Sequence, residues 1–532
     1  KNSKGDIIDT SDATGKVFSL KGLPSGTYTI VSNGGSSRIS SLVIGEVLEQ
    51  STPASMVVKP VKVDFLKGAE FSSAGVSADV TYGSGAVKSK TNLTIDDSSV
   101  NMNKEGEYVV RVFYTELGET VTATYIVTVY SLESLSYTTY TTSSNNQTTL
   151  PQIYTVGGKF SVSGLTVNGV AKYGEKTKVF MLNSNDYDVS TPDLSTEGEK
   201  TATITAKSNG AITASFKIYV VNLAEVAENT VTVTVDPSKP VSSTNFQTVT
   251  QAVTYIGNYE DSVKKVINIA DGEYKEKIHI NVPNVTLIGS ATATPDHDTN
   301  NGVILWYDAI SGGTTPTGGT YGTSGSSSVT IGSKADNFVA KNITFKNYYN
   351  SVELYLESKA QMNDTQAVAL SVDSAHAAFY NCKMTSYHDT LLSNRGNHYY
   401  KNCFIEGRTD YIFGQEATVY FDECTIYTLS AGENDKDGGY IAAFKSSATT
   451  YVVFNECDLT GAEEGATEIA LGRPWGADFK MITINSKISG NYSKKAHEAG
   501  VNKKERYVTM SGNEPKPENM LEYNNTGDGA IT

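Results

Sequence analysis

Cysteine and aspartate recur along this chain with a common step. Cys382, Cys403 and Cys424 are spaced by 21 residues, and Asp389 and Asp410, each seven residues after a cysteine, share that spacing. A residue class that returns at this interval fits a chain wound in coils of that length, with equivalent residues stacked on neighbouring turns. Adjacent strands lie ~4.8 Å apart, so the step predicts two carboxylates side by side. Such a pair is costly for structure and useful for acid–base chemistry.

The surrounding texture supports coils. From about residue 225 onward, short strand-like units end in Asn, Gly or Cys, among them Val285–Gly289, Lys341–Phe345, Phe379–Cys382, Tyr400–Cys403, Phe421–Cys424 and Phe454–Cys457. A parallel β-helix needs such units: an inward apolar residue, a polar bend, and a repeat on the next turn. One coil cannot bury its own face, so several must stack. The Gly/Ser/Thr-rich stretch Ser311–Ser328 reads as a loop leaving the coil body. Thirty-two tyrosines, 39% hydrophobic residues and 19% charged residues make the chain globular and all-β.

Before residue 225 the pattern differs. Gly68-x-x-Phe71-Ser72-x-x-Gly75 recurs as Gly157-x-x-Phe160-Ser161-x-x-Gly164, and Glu105-Gly106-Glu107 recurs as Glu197-Gly198-Glu199. The offsets of 89 and 92 residues suit one small β-sandwich each. The expected organisation is a partial β-rich segment at 1–55, with alternating runs at Lys16–Leu20 and Thr27–Ile30. Sandwiches at 56–131 and 132–224 follow, then a parallel β-helix at 225–532. The repeats resemble bacterial immunoglobulin-like modules, either as spacers or as carbohydrate-binding units.

The formal charge of −15 argues against nucleic acid as partner. No apolar run approaches the ~20 residues that span a bilayer. The chain starts at Lys1 without a signal segment, so a processed or truncated product is expected. The low charge and tandem modules suggest a secreted or cell-surface protein, and a monomer is expected. The coil spacing makes the four cysteines a buried thiol ladder rather than a disulfide set.

One coil step also relates Gln366 to His388. Gln366, His388, Asp389 and Asp410 can therefore converge on one face. Stacked carboxylates repel, so one should hold its proton unusually tightly, while a guanidinium keeps the other ionised. Arg473, in Leu471-Gly472-Arg473-Pro474-Trp475, is the candidate guanidinium. A solvated Asp ladder is the bland alternative, and a capping aromatic is the bland alternative for Trp475. Glu433–Gly438 begins like a calcium loop, but Phe444 stands where a closing Glu is needed. Asp296-His297-Asp298 reads as a solvated cluster. No Gly-x-Ser-x-Gly elbow is present, and no metal or other cofactor is expected.

Five segments resemble the pectin methylesterase family (pectinesterases, carbohydrate esterase family 8). They are Gly272-Glu273-Tyr274-Lys275-Glu276, Gln366-Ala367-Val368-Ala369-Leu370, Tyr387-His388-Asp389-Thr390-Leu391, Gly407-Arg408-Thr409-Asp410-Tyr411-Ile412-Phe413-Gly414 and Leu471–Trp475. The resemblance runs from about Thr232 to Ala530. It implies a right-handed parallel β-helix that hydrolyses galacturonate methyl esters of pectin (methylesterified homogalacturonan), releasing methanol and pectate, and together with the modules it implies a bacterial enzyme. It further implies Asp410 as nucleophile, Asp389 as acid and then base, Arg473 as the partner that orients Asp410, and Gln366 as oxyanion donor. Phe413 and Trp475 would line the sugar groove, with Thr323 a further substrate contact. A β-helix lyase or polygalacturonase, and a non-catalytic polysaccharide-binding protein, are the competing readings.

The chain departs from the family at two site positions. His388 stands where Gln is usual, a neutral imidazole whose one N–H can still donate to an oxyanion, and Tyr411 where Phe is usual. It also ends soon after Glu522-Tyr523-Asn524-Asn525, which leads us to expect a frayed last coil.

Overall fold

The computed structural model describes residues 51–531 except 144–145, 292, 433–438, 446–449 and 500–503. The runs at Lys16–Leu20 and Thr27–Ile30 and the Glu433–Gly438 loop lie outside the described residues. The chain divides into two compact units, one reaching Leu132 and including Ala171–Lys178, the other made of Glu133–Val170 and Val179–Thr532.

The first unit is antiparallel for the most part. Pro53–Lys59, Ser77–Tyr82 and Val87–Lys90 form one sheet, while Gly106–Glu116 pairs with Glu119–Thr138 in a second. Ala78, Val80, Val110, Val112 and Val127 alternate inward from both sheets into one core, as period-two patterning requires.

The second unit holds the β-helix. Three parallel sheets of eleven, eight and seven described strands form its faces. The seven-stranded sheet runs in order through Ile278–Ile280, Val329–Ile331, Leu370–Val372, Leu391–Ser393, Thr409–Gly414, Tyr440–Phe444 and Ala470–Pro474. Inside, aromatic rings stack once per coil. The Phe379–Tyr400, Tyr400–Phe421 and Phe421–Phe454 centroids lie 4.8, 4.9 and 4.9 Å apart, which is the strand spacing itself.

The 21-residue step is set at one corner. Asn381, Asn402 and Glu423 adopt left-handed φ of 52°, 52° and 51°, and each directly precedes a cysteine. Asn tolerates that conformation because its short amide bonds locally. The amides also ladder, with Asn381 Nδ2 donating to Asn342 Oδ1 at 2.8 Å and Asn402 Nδ2 to Asn381 Oδ1 at 3.3 Å. The cysteines that follow are buried and unpaired. Met520–Tyr523 pairs with Met481–Ile484 over four residues, so the coil expected to fray is held in register.

The open end of the first coil is covered by the helix Val249–Ile256, whose Val249, Ala252, Tyr255 and Ile256 are buried. The Gly272–Glu276 motif explains how it is anchored. Glu276 accepts from Val249 N and Thr250 N, both at 2.9 Å, placing a carboxylate at the positive end of the helix. The core does not stop where the sequence texture changes. Ile153 and Val221 join the same apolar cluster as Val231, Val233 and Phe246.

Candidate active site

Neighbouring residues of the seven-stranded sheet divide between two faces. Leu391, Ile412 and Ala442 point into the coil core, while Leu392, Phe413 and Ala443 gather with Val368 on the outer face, joined by Trp475 and Met510. This outer cluster is an apolar floor. Phe413 and Trp475 were expected in a sugar groove, and the structure brings them together here. Val368, Leu392 and Met510 are additions. Leu392 was accessible in principle from alternation alone, whereas Met510 arrives from a distant segment with no periodic signal.

Asp389 and Asp410 stand beside this floor on neighbouring coils. His388 bridges to Thr409 in parallel register, and Asp389 N donates to Thr409 O at 3.0 Å. Both aspartates have left-handed φ, 64° and 47°, a conformation uncommon outside glycine and frequent at functional sites. Only 8% and 6% of their surfaces are exposed. The strand register is shifted between Thr409 and Ile412, an irregularity that aims Asp410 outward while Tyr411 turns inward. The Tyr411 hydroxyl is fully buried and shares a 2.9 Å hydrogen bond with Thr428 Oγ1, so the extra oxygen is satisfied inside the core.

Two strands further along, Arg473 reaches back. Its Nε donates to Asp410 Oδ1 and its Nη2 to Oδ2, each at 2.6 Å. This bidentate fork fixes the plane of the carboxylate as well as its charge. The guanidinium lies 3.9 Å from the Tyr440 ring centroid, a cation–π contact that holds it from the other face. Tyr440 had not been singled out in the sequence.

Asp389 has no such partner. Burial first, and then the neighbouring Asp410 charge, push its carboxyl well above the usual carboxylate range, against the pull of Arg473. One carboxylate is thus ion-paired and its neighbour is biased toward the protonated form, an asymmetry suited to an acid beside a nucleophile.

His388 contacts Asp389 Oδ1 through Nε2 at 3.3 Å. Its Nδ1 lies 3.4 Å from Thr365 Oγ1, and Tyr355 packs edge-on at 6.1 Å. Burial holds the imidazole down to about 4, opposed by Asp410 and reinforced by Arg473 and Lys359. The ring is therefore neutral near pH 7, and both nitrogens are engaged. The structure sets the ring against Asp389.

Gln366 leads into the strand Leu370–Val372. Its carbonyl accepts from Ser311 N at 2.8 Å, and Ala367 N donates to His388 O at 3.0 Å. Thr323 sits in the short helix Gly322–Gly325, within the stretch expected to be a loop. Gly322 N donates to Ser311 O at 2.9 Å, so Ser311 ties the Thr323 segment to Gln366. Asp296, His297 and Asp298 lie apart from the site. His297 Nδ1 is 2.7 Å from the buried Glu406 and pins its loop to the eight-stranded face.

Comparison with known proteins gives the family of the chain. The family model described as Pectinesterase matches residues 231–531. The chain is similar to the probable pectinesterase A of Neosartorya fischeri, with 31% identity over 55% of this chain and 78% of that one. It is also similar to pectinesterase A of Emericella nidulans, with 30% identity over 54% and 78%. Among solved structures, the deglycosylated pectin methylesterase from Aspergillus niger aligns with 26% identity and a TM-score of 0.44, covering 58% of this chain and 89% of that one. With the family model spanning more than half of its length, the chain belongs to the pectinesterase family.

Proposed function

We propose that Asp410 and Asp389 hydrolyse the methyl esters of galacturonate units in pectin by a two-step route without a metal. An Asp410 oxygen attacks the ester carbonyl carbon, and the amide of Gln366 donates to the oxyanion that forms. Collapse breaks the carbon–methoxy bond as Asp389 gives its proton to the departing oxygen, releasing methanol. An anhydride now joins Asp410 to the sugar. Asp389, left as a carboxylate, takes a proton from water, whose oxygen attacks the acyl carbon. The Asp410–acyl bond breaks, leaving free galacturonate, an ionised Asp410 and a reprotonated Asp389.

The observation that carries this reading is the asymmetry of the pair. Asp410 is clamped by Arg473 through two 2.6 Å bonds, while Asp389, one coil away, is buried without a cation of its own. His388 accompanies Asp389 as a neutral neighbour, leaving the oxyanion to Gln366. The floor of Phe413 and Trp475 suits the apolar faces of sugar rings, and the Thr323 segment flanks it.

Methanol release from highly methylated pectin, measured together with new unsaturated or reducing ends, tests the reading. Methanol without new ends supports the esterase. New ends without methanol would favour a backbone lyase or hydrolase, and binding without either product a non-catalytic role.

The flanking region supports a further part of the reading. Residues 56–131 and 132–224 are immunoglobulin-like modules of a secreted or surface-held bacterial enzyme that works as a monomer. Both copies of the repeat begin and end in left-handed glycines, Gly68 and Gly75 at 85° and 81°, Gly157 and Gly164 at 77° and 85°. Cell fractionation and sedimentation of the full chain test location and oligomeric state.

A further inference from the structure

A β-hairpin outside the family-matched region packs onto the same face as the catalytic residues. Its strands, Tyr140–Ser143 and Asn146–Thr149, pair antiparallel, and it belongs to the same compact unit as the β-helix. The Tyr140 hydroxyl sits between two phenols, 2.9 Å from Tyr307 Oη and 2.7 Å from Tyr321 Oη. Tyr321 immediately precedes the Gly322–Gly325 helix that carries Thr323. At the other end of the hairpin, Gln147 Nε2 donates to Lys277 O at 2.6 Å, and His279 Nδ1 donates to Gln147 O at 3.2 Å.

His279 fixes where this contact lies. Strand register aligns it with Thr330, then Ser371, Leu392 and Phe413. Their neighbours Ile278, Ile280, Val329, Ile331, Leu370 and Leu391 point into the core. The aligned residues therefore form one outward column that ends in the apolar floor. Leu392 shares its coil with Asp389. Three strand steps separate it from His279, about 14 Å at ~4.8 Å per step. The hairpin thus stands across the column at the far end from Arg473.

We propose that this hairpin is the end wall of the polysaccharide groove. It limits how many sugar units can lie on that side of Asp389, and it touches the last of them. Tyr140 is a positioning residue in this arrangement, because its hydroxyl seats the hairpin on Tyr307 and Tyr321. The ligand is a methylated galacturonan chain, so the inference rests on the esterase reading above.

The test uses the full chain and size-fractionated methylated oligogalacturonates. For Tyr140→Ala combined with Gln147→Ala, KM should change about fivefold or more for oligomers long enough to reach the hairpin, equivalent to one or two lost hydrogen bonds. The shortest oligomer turned over should keep its KM, and kcat should hold throughout. Tyr140→Phe, which keeps the ring and removes the shared O–H contacts, should fold like the parent and give a smaller shift with the same length dependence. A KM change equal at all lengths, or none in either variant, would overturn the proposal. Calorimetric titration of the same oligomers reads the wall without turnover. A parent chain that binds them with a hairpin-dependent length limit but releases no methanol would sink the esterase reading and leave the wall standing.

Discussion

The cysteine corner and the aspartate face share one 21-residue step and put it to opposite uses. At the corner every coil repeats the last. Cys403 Sγ donates to Phe379 O, Cys424 Sγ to Tyr400 O and Cys457 Sγ to Phe421 O, at 3.5, 3.3 and 3.5 Å. Each of these thiols has the same kind of backbone partner as its neighbour. On the aspartate face the spacing is kept but the surroundings are not. Asp410 receives Arg473, and Asp389 receives His388 and a dry pocket. A coil repeat places like groups in line. Chemistry begins where their partners cease to repeat.

If that difference is real, the largest effect should come from removing the ion-paired member. Asp410→Ala should lower kcat for methanol release by at least about 10⁴-fold, in line with loss of a covalent nucleophile. Asp389→Asn should cost about 10²–10⁴-fold, the usual range for a general acid–base. It should also change stability with a defined sign. The raised folded pKa means the native chain keeps a proton that the unfolded chain loses near pH 4, so the parent loses stability as pH rises through the folded value. Asn removes that loss, and its melting temperature should exceed the parent's on the alkaline side. Equal melting temperatures across pH would show that Asp389 is ionised in the folded state.

Arg473→Lys sharpens the comparison further. Lysine keeps a positive charge and gives up the two-pronged grip and the contact with Tyr440. A drop in kcat of about 10²-fold, the scale of a small misplacement, would show that orientation matters beyond charge. Cys424→Ser tests the corner. Ser486 already fills the equivalent position two coils on and donates to Ile484 O at 2.8 Å. The change should cost under about 1 kcal/mol by denaturant titration and leave methanol release intact.

The same contrast explains what was legible in the sequence. Periodic features were: the coil step, the thiol ladder, the stacked aspartates and the step from Gln366 to His388. Arg473, Phe413 and Trp475 were reachable through their motifs. Tyr440, Met510 and the Tyr140 hairpin were not, because each meets the site through a long-range contact that no repeat encodes. The neutral state of His388 was also hidden, since it depends on how deeply the ring is enclosed.

His388→Gln is the smallest and most discriminating change. The imidazole titrates near 4 in the folded chain, so at pH 6–8 both side chains are neutral hydrogen-bonding groups beside Asp389. There kcat should agree within about threefold, less than 1 kcal/mol. Below pH 6 the proteins should part. The unfolded parent takes up a proton near pH 6.5 that the folded ring refuses until about 4, so the parent loses stability as pH falls through that window while the glutamine variant does not lose this part. Melting curves from pH 7 down to pH 4 should therefore diverge in favour of the variant, and the acid limb of the rate profile should move with them. Superimposable curves and profiles would mean that the ring reaches water, and that the dry side of the aspartate pair is wetter than its contacts imply.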